Sequence, residues 1–308
     1  MEKNNFYPEG FTDLQNPYSL DMLLYNAGRD TIHHATVQSC DPQHNLIINL
    51  GKNITGIIEK NEAAIGVKER KTRDIAIISR VGKPVCFTIE DIFFENGKTY
   101  ARLSRRRAQL LAFENFKNNF CAGDVIPARV THIESFGIFV DIGCGFTSFI
   151  GVEDLSVSRI STPSERFYVG QNIFAVITHI AVEECKIYLS HRELLGTWSQ
   201  NAALFSAGST VSGIVRGVES YGIFVELSPN LSGLAEPKSN LSAGDCVSVY
   251  IKAIVPEKMK VKLSIIDKLD IKVTPLSAND YFITSGHVSQ WNYSPENCSR
   301  KVISSYFS

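Results

Sequence analysis

The sequence predicts an all-β protein of three tandem, five-stranded barrels joined by short helices. The first observation behind this prediction is a repeat: residues 134–142 (ESFGIFVDI) and 219–227 (ESYGIFVEL) are identical at six of nine positions. The second is the alternation of apolar and polar residues inside each copy, which is the period of a half-buried strand. Because a small module made of short strands leaves exposed edges unless it closes on itself, a barrel is the expected architecture.

The repeat extends on both sides of this segment. An offset of 85 residues also pairs Gly123 with Gly208 and Val130 with Val215. Each copy then closes with KIYLS (186–190) or KVKLS (260–264) at an offset of 74, so the later copy lacks 11 residues, which correspond to a polar loop at 156–168. The two copies are therefore one module duplicated, with an insertion in the first of them.

A weaker copy precedes these two. It shows Val37, an apolar strand at 46–50, a second at 56–59 and the closing segment YARLS at 100–104. Leu194, Trp198, Ala202 and Phe205 recur at helical spacing, as do apolar residues between 111 and 120, and this predicts helical joints. The predicted organisation is an N-terminal arm (1–28), a degenerate barrel (29–107), a helical linker (108–120), a barrel (121–192), a second helical linker (193–206), a barrel (207–267) and a C-terminal tail (268–308).

Composition excludes several classes of protein. The 308 residues carry 31 Lys+Arg against 32 Asp+Glu, and 44% are hydrophobic, which excludes a disordered chain and a protein that holds nucleic acid by bulk positive charge. Among the seven cysteines there is no CxxC pair, and free buried thiols are expected. The N-terminal residues contain no apolar signal segment and no run reaches the length of a membrane span, so a cytoplasmic protein is predicted.

The two later copies resemble the RNA-binding repeat of ribosomal protein S1, an oligonucleotide-binding (OB) barrel. The motifs that carry the resemblance are Val-x-x-Ile/Val-x-x-aromatic-Gly-Ile-Phe-Val, Gly-Leu-Ala-Glu at 233–236 and Leu-Ser at the end of each copy. The order of modules is similar to the shortened S1 homologues of clostridial-type bacteria. The resemblance implies three OB barrels, single-stranded RNA or messenger RNA as the ligand, and a place at the small ribosomal subunit.

The resemblance also implies a binding face with two aromatic residues, a histidine, an aspartate and a basic residue. The residues at the aromatic and basic positions are Phe136, Phe139 and Lys186 in one copy, and Tyr221, Phe224 and Lys260 in the next. The histidine position is occupied by Gly151 and Glu236, so that feature is absent. Neither copy has the aspartate that the resemblance implies.

Stacking explains why such rings bind RNA. An exposed flat ring stacks on any base, and the interaction contributes roughly 1 to 3 kcal/mol per base. Phe139 shares its strand face with Asp141, a charged residue expected in water, so Phe139 is predicted to lie outside the barrel. Gly137 is predicted to bend the strand and bring Phe136 to the same face.

Charge is distributed unevenly among the modules. Residues 29–110 carry 14 basic and 9 acidic groups, residues 121–196 carry 5 and 9, and residues 208–267 carry 6 and 6. The ring-bearing modules are not basic, which predicts weak, sequence-tolerant binding with a shallow salt dependence. The basic first module lacks the rings, with His44 and Ile47 at their positions, and Arg105, Arg106 and Arg107 are candidate contacts to ribosomal RNA.

The remaining motifs do not indicate a phosphate, metal or catalytic site. Gly143-Cys144-Gly145 resembles the start of a phosphate loop but opens no helix, and it is interpreted as a turn between strands. His33-His34 lacks a third ligand at metal spacing, so no metal or cofactor is predicted. No nucleophile motif is present, and no enzyme or small-molecule substrate is predicted.

Three hypotheses follow. The first is a non-enzymatic protein that binds single-stranded RNA and acts in translation at the small ribosomal subunit. The second is a ribosome-associated protein whose barrels dock on another protein, which the acidic middle module favours. The third is an accessory RNA-binding subunit of an RNA-degrading enzyme. The apolar stretch at Leu20, Leu23 and Leu24 is either a partner-binding helix or a segment folded on its own barrel. The tail belongs to no repeat.

Overall fold

A computed structural model describes residues 6–11, 18–51, 53–270, 280–299 and 302–307 of the chain. It divides into two compact units, the first formed by Met1–Phe120 with Asp141–Thr147, the second by Cys121–Val140 with Ser148–Ser308. No helix in the described ranges is long and apolar enough to span a membrane.

The first unit contains a closed barrel with the strand order β1-β2-β3-β5-β4. Its strands are β1 (His33–Cys40), β2 (Leu46–Gly51), β3 (Ile54–Ile58), β4 (Pro84–Glu95) and β5 (Lys98–Ser104), with a 3-10 turn at Lys60–Glu62 and a short helix α2 (Ile75–Ile78) between β3 and β4. Alternate residues of each strand, such as Leu46, Ile48 and Leu50, are fully buried in its core. The weak first copy is therefore a complete barrel.

Two further helices belong to this unit. Helix α1 (Leu20–Asn26) begins after Ser19, whose hydroxyl accepts the N–H of Met22, and it buries Leu23 in the core of the first barrel. The segment thus folds on its own barrel. Helix α3 (Arg105–Asn119) begins where the Ser104 hydroxyl accepts the N–H of Arg107 at 2.9 Å, three residues before the predicted linker, because this cap follows directly on β5.

The second barrel has the strand order β10-β8-β7-β6-β9. Its strands are β6 (Val125–Glu134), β7 (Gly137–Asp141), β8 (Thr147–Gly151), β9 (Asn172–Ala181) and β10 (Lys186–Ser190). Helix α4 (Val152–Leu155) and a 3-10 turn at Pro163–Glu165 lie between β8 and β9. Gly143, Cys144 and Gly145 form the turn between β7 and β8, as predicted.

The third barrel repeats this plan in the order β11-β12-β13-β15-β14. Its strands are β11 (Thr210–Glu219), β12 (Gly222–Ser228), β13 (Leu231–Ala235), β14 (Cys246–Val255) and β15 (Lys260–Leu269), with a 3-10 turn at Pro256–Lys258. In the tail, β16 (Gln290–Asn292) pairs with β17 (Ser304–Tyr306). The predicted fold class, three closed five-stranded barrels with few helices, is confirmed.

The linker before the third barrel differs from the continuous helix that the spacing of Leu194 to Phe205 predicts. It consists of a 3-10 turn (Arg192–Leu195) and a separate short helix α5 (Trp198–Ala202). Gly196 interrupts them with a φ of +79°, and a Cβ there would lie 2.5 Å from the ring of Phe282. The positive φ of Gly196 ends the 3-10 turn, the ring of Phe282 leaves no room for a side chain there, and Trp198 and Leu194 are buried nonetheless.

The inserted loop 156–168 packs against the third barrel within the second unit. Arg166 donates from Nη2 to Oε2 of Glu226 at 2.7 Å, and Arg216 donates from Nε to the same oxygen at 2.9 Å. Arg216 also bonds Glu165, at the end of the loop's 3-10 turn. The Arg166, Arg216 and Glu226 side chains are each at most 5% exposed. The polar loop that distinguishes the two copies is therefore part of a buried contact between barrels.

The tail completes the same contact. Asn230 accepts the N–H of Val157 and donates from Nδ2 to the carbonyls of Arg192 and Gly196. Its own carbonyl accepts the hydroxyl of Tyr293 at 2.7 Å. Trp291 and Tyr293 are buried in the hydrophobic cluster of the third barrel. The side chain of Asn230 thus joins the loop to the linker, and its backbone carbonyl joins the third barrel to the tail.

Candidate nucleic-acid interface

Aromatic side chains form a continuous row across the outside of the second barrel. In strand order they are His132 on β6, Phe139 on β7, Phe149 on β8, Tyr188 on β10 and His179 on β9. Ring centroids are 6.1 Å apart for His132 and Phe139, 5.1 Å for Phe139 and Phe149, and 6.2 Å for Tyr188 and His179. Tyr188 and Phe149 are register partners in the parallel pair of β10 and β8. Every strand of the barrel thus contributes one ring, and we call these five residues the ring row.

Phe136 lies at the edge of the ring row. Its side chain is 56% exposed, and its ring centroid is 5.6 Å from that of Phe149. Gly137 makes this approach possible, because a Cβ at that position would lie 2.4 Å from Cζ of Phe149 and 2.3 Å from the carbonyl oxygen of Ile150. Phe136 and Phe139 therefore meet the same third ring, as predicted from the glycine between them.

Phe139 lies on the outside of the barrel, but the expectation used to place it there, that Asp141 on the same strand is in water, is wrong. Asp141 is 2% exposed rather than in water. Its carboxylate accepts the N–H of Glu9 at 2.7 Å and those of Gly143 and Gly145 at 2.9 and 3.0 Å. Burial, together with the nearby charge of Glu9, raises the pKa of Asp141 to about 7. The carboxylate holds the turn after β7.

Lys186 lies beside the ring row at the start of β10. Its Nζ is 2.7 Å from Oε2 of Glu184, and both side chains are more than half exposed. The hydrogen bond to Glu184 raises the pKa of Lys186, which keeps it charged. An exposed pair of this kind is weak, so a phosphate can compete with Glu184 for the ammonium group.

The third barrel presents the corresponding row with different chemistry. On neighbouring strands of this barrel, Gly217 pairs with Phe224, Phe224 with Leu234, Leu234 with Lys262, and Lys262 with Ala253. Tyr221, 65% exposed, adds a second ring whose centroid is 6.2 Å from that of Phe224 in an edge-on arrangement. Compared with the ring row, a leucine replaces Phe149 and a lysine replaces Tyr188.

Tyr221, Phe224, Leu234 and Lys262 of this row line a groove of about 550 Å³ on the third barrel. Its walls include the two rings, Leu234 and three lysines, which are Lys252, Lys260 and Lys262. Lys252 pairs with Glu236 at 2.8 Å. The module as a whole carries six basic and six acidic groups, but the groove is lined by three lysines and only one carboxylate, Glu236, so the groove itself carries an excess of positive charge. An apolar floor with ammonium groups at its rim suits a base and its phosphates.

The first barrel carries no ring in the equivalent row. Its register partners are Ser39, Ile47, Ile57, Arg102 and Asp91. Arg102 stands where Tyr188 and Lys262 stand in the other barrels, 3.4 Å from Glu59. His44, at the position of the first ring, lies in a turn with a φ of 66°. This row therefore offers charge and no ring, although the stacked rings of Phe93 and Tyr100 lie beside it, with the guanidinium of Arg102 5.8 Å from the Phe93 ring.

The three arginines at the start of α3 are occupied by acidic partners. The prediction that Arg105 contacts RNA is wrong, because its side chain is 7% exposed and donates to both oxygens of Glu9 at 2.6 and 2.8 Å. Arg106 lies 3.6 Å from Glu69, and Arg107 bonds Asp30 at 2.6 Å. Arg106 and Arg107 are partly exposed and stay as predicted contacts.

Sequence reasoning missed Phe149, Tyr188, His132, His179 and Lys262. The signal for three of them was present as alternation, since Ser148 and Ile150 are buried on either side of Phe149, and Ile187 and Leu189 flank Tyr188. Lys262 alternates with Val261 and Leu263 in the same way. His179 has no comparable signal, because a bulge in the pairing of β9 with β10 shifts the register next to it.

A comparison with protein families matches residues 120–192 to the S1 RNA binding domain. The matched residues coincide with the second barrel, which is therefore similar to an S1 RNA binding domain. The match covers the barrel that carries the ring row, and the register shows the third barrel to be built on the same plan.

The chain is also similar to bacterial small ribosomal subunit proteins. It is 32% identical over 166 residues to bS1 of Chlamydia muridarum, covering 50% of this chain and 29% of that protein. It is 29% identical over 200 residues to bS1 of Staphylococcus aureus strain COL, covering 60% and 50%. A solved multidomain protein with nucleic acid binding domains from Streptococcus pneumoniae aligns with 79% of this chain and 75% of its own, at 13% identity and a TM-score of 0.26. The chain thus spans half or less of the length of these bS1 relatives.

Proposed function

We propose that this protein binds single-stranded RNA through the second and third barrels, and that it acts in translation at the small ribosomal subunit with messenger RNA as its ligand. The observation that carries the proposal is the ring row, in which five aromatic side chains cross the outside of the second barrel. Bases stack on such a surface without regard to sequence.

A single strand is the form of RNA that this surface takes. In a duplex the faces of the bases are covered by their neighbours, and only the edges and the backbone are exposed. Half-exposed rings such as Phe136 and Tyr188 have flat surface to offer. Residues 121–196 carry only five basic groups against nine acidic ones, so this barrel has little charge with which to hold a duplex backbone.

The two ring-bearing barrels make different kinds of contact with RNA. The second barrel supplies stacking, with Lys186 as its basic residue, while the groove of the third barrel supplies fewer rings and three lysines. Phe136, Phe139, Lys186, Tyr221, Phe224 and Lys260 are the proposed contacts from the sequence, and Phe149, Tyr188 and Lys262 join them. The buried contact between the two barrels holds both in one unit, so one strand can engage both.

The place in translation rests on the bS1 relatives, whose names assign them to the small ribosomal subunit. The first barrel, with its excess of basic residues and no ring row, is the proposed contact to the ribosome. Binding rather than catalysis is the proposed activity throughout.

The test is fluorescence anisotropy with a labelled single-stranded RNA and the same strand in a duplex, followed by co-sedimentation with small subunits. We expect preference for the single strand, and co-sedimentation that survives removal of free RNA. Equal affinity for the duplex would contradict the stacking mechanism, and binding to subunits without any RNA affinity would favour a protein-docking role. Co-purification with a nuclease instead of subunits would favour the accessory-subunit hypothesis.

A further inference from the structure

Three metal-ligating side chains meet where the second barrel begins and the tail returns to it. They are Cys121, Asp124 and His287, and their donor atoms all lie within 4.8 Å of one another. The Sγ of Cys121 is 3.9 Å from Nδ1 of His287 and 3.7 Å from Oδ2 of Asp124. Nδ1 of His287 is 2.9 Å from Oδ1 of Asp124. This is the one such group of three in the described residues, and none of its members belongs to the ring row.

These separations are close to those around a tetrahedral zinc ion. With Zn–S of about 2.3 Å and Zn–N and Zn–O of about 2.1 Å, tetrahedral angles place sulfur about 3.6 Å from either of the other donors, and nitrogen about 3.4 Å from oxygen. The sulfur distance is to Oδ2 of Asp124 and the nitrogen distance is to its Oδ1, so rotation of the carboxylate brings one oxygen to the ion together with the other two donors.

The backbone holds the cluster in place independently of any ion. Asp124 and His287 form an antiparallel bridge, flanked by hydrogen bonds from the N–H of Val125 to the carbonyl of Gly286 and from the N–H of Val288 to the carbonyl of Gly123. Gly123 has a φ of +95°, and a Cβ on it would lie 2.4 Å from the oxygen of Val288. The tail strand therefore passes directly against the turn that carries Cys121 and Asp124.

The donor set selects the class of ion. A thiolate, an imidazole and a carboxylate suit Zn²⁺, whereas Mg²⁺ and Ca²⁺ prefer oxygen alone. The thiolate and carboxylate together neutralise the two charges of the ion. Cys121 is exposed and the His287 side chain is 44% exposed, which leaves a fourth position open to water.

We propose that Cys121, Asp124 and His287 bind one Zn²⁺ ion with water as the fourth ligand. Binding displaces the thiol proton of Cys121 to solvent and leaves the imidazole proton of His287 on Nε2. Because Cys121 and His287 are 166 residues apart in the chain, the ion ties the tail to the start of the second barrel. The site thus acts as a clasp within the second unit, formed by residues outside the ring row.

The test is titration of the full-length protein with Co²⁺ as a spectroscopic substitute, under a reductant that is not a thiol, followed by displacement with Zn²⁺. We expect one equivalent of Co²⁺, a thiolate-to-cobalt charge-transfer band, and visible bands with the intensity of a tetrahedral site. Cys121→Ser should abolish the charge-transfer band, and His287→Ala should weaken Zn²⁺ binding at least about tenfold. Cys185→Ser and His132→Ala are the matched controls, and they should leave the charge-transfer band and the Zn²⁺ affinity unchanged.

Three results would overturn the proposal: no saturable uptake, a spectrum without a thiolate band, or a band that persists in Cys121→Ser. A second measurement guards against variants that misfold. In the wild-type protein, Zn²⁺ should raise the midpoint of thermal unfolding and slow proteolytic removal of the tail, and a chelator should reverse both effects. Unchanged tail cleavage at saturating Zn²⁺ would also contradict the clasp.

Discussion

Phe139 and Phe149 lie on neighbouring strands of the second barrel with their ring centroids 5.1 Å apart. The pair is the centre of the ring row, since Phe136 contacts Phe149 from one side and His132 contacts Phe139 from the other. Such a pair presents adjoining apolar surface to a strand of stacked bases. Several consequences can be measured.

Phe149→Ala should weaken binding of single-stranded RNA by roughly 1 to 3 kcal/mol, because the central stacking surface is lost. Anisotropy titrations of wild type and variant measure the change. Phe94→Ala, which removes a 65% exposed phenylalanine from the first barrel, is the control and should bind as the wild type does. Equal losses in both variants would argue against a localised ring row.

Lys262→Ala should lower affinity for all RNA sequences alike and reduce the slope of log K against log salt by about 0.7, the value for one phosphate on a single strand. The physical reason is that an ammonium at the groove of the third barrel releases one counterion on binding. A salt series with Lys262→Ala beside Lys98→Ala, an exposed lysine on β5, checks this. An unchanged slope would remove Lys262 from the phosphate contacts.

Glu226→Gln should destabilise the second unit by about 3 to 5 kcal/mol, since it leaves the charges of Arg166 and Arg216 buried without their shared carboxylate. Chemical denaturation measures the free energy of unfolding, with Glu219→Gln at an exposed position as the control. A loss below about 1 kcal/mol would mean that the network adds little to the contact between barrels.

The stability of the second unit should fall as the pH drops from about 6.5 to 4. Burial lowers the pKa of His191 from 6.5 to about 4. Nδ1 of its ring lies 2.8 Å from the carbonyl of Leu155, and Nε2 lies 2.8 Å from the hydroxyl of Tyr281. In that window the unfolded chain binds the proton and the folded chain does not, so folding loses up to about 3 kcal/mol.

Comparison of unfolding free energies at several pH values tests this directly. His191→Gln should be less stable at neutral pH but should show a shallower fall between pH 6.5 and 4 than the wild type. His132→Gln, at an exposed position, should keep the wild-type slope. Parallel slopes in all three proteins would contradict the assignment of the acid sensitivity to His191.

The barrels could be predicted from sequence because each depends on local alternation that the chain repeats. The outward-facing rings Phe136 and Phe224 could be predicted in the same way, since a duplicated aromatic-Gly-Ile-Phe motif marks them, and both rings are exposed. Phe149 and Tyr188 obey the same alternation, but they become part of the ring row only through the pairing of β8 with β10, which joins residues 39 positions apart.

The wrong predictions for Asp141 and Arg105 have a common physical cause. Asp141 and Arg105 are charged residues that local patterning assigns to the surface, and both are buried because Glu9, distant in sequence, supplies hydrogen bonds and charge. In the same way, His287 meets Cys121 only through a tail that no repeat describes. A single sequence does not show which polar groups distant in the chain become partners in the fold.

The central claim is that rings on two barrels hold the RNA. It is tested most directly by the dissociation constant of a labelled single-stranded RNA for the wild type and for Phe139→Ala/Phe224→Ala, one ring from each barrel, over a salt series. We expect the double variant to lose about 2 kcal/mol or more while its salt slope stays as shallow as that of the wild type. A double variant that binds as tightly as the wild type would contradict stacking on these faces.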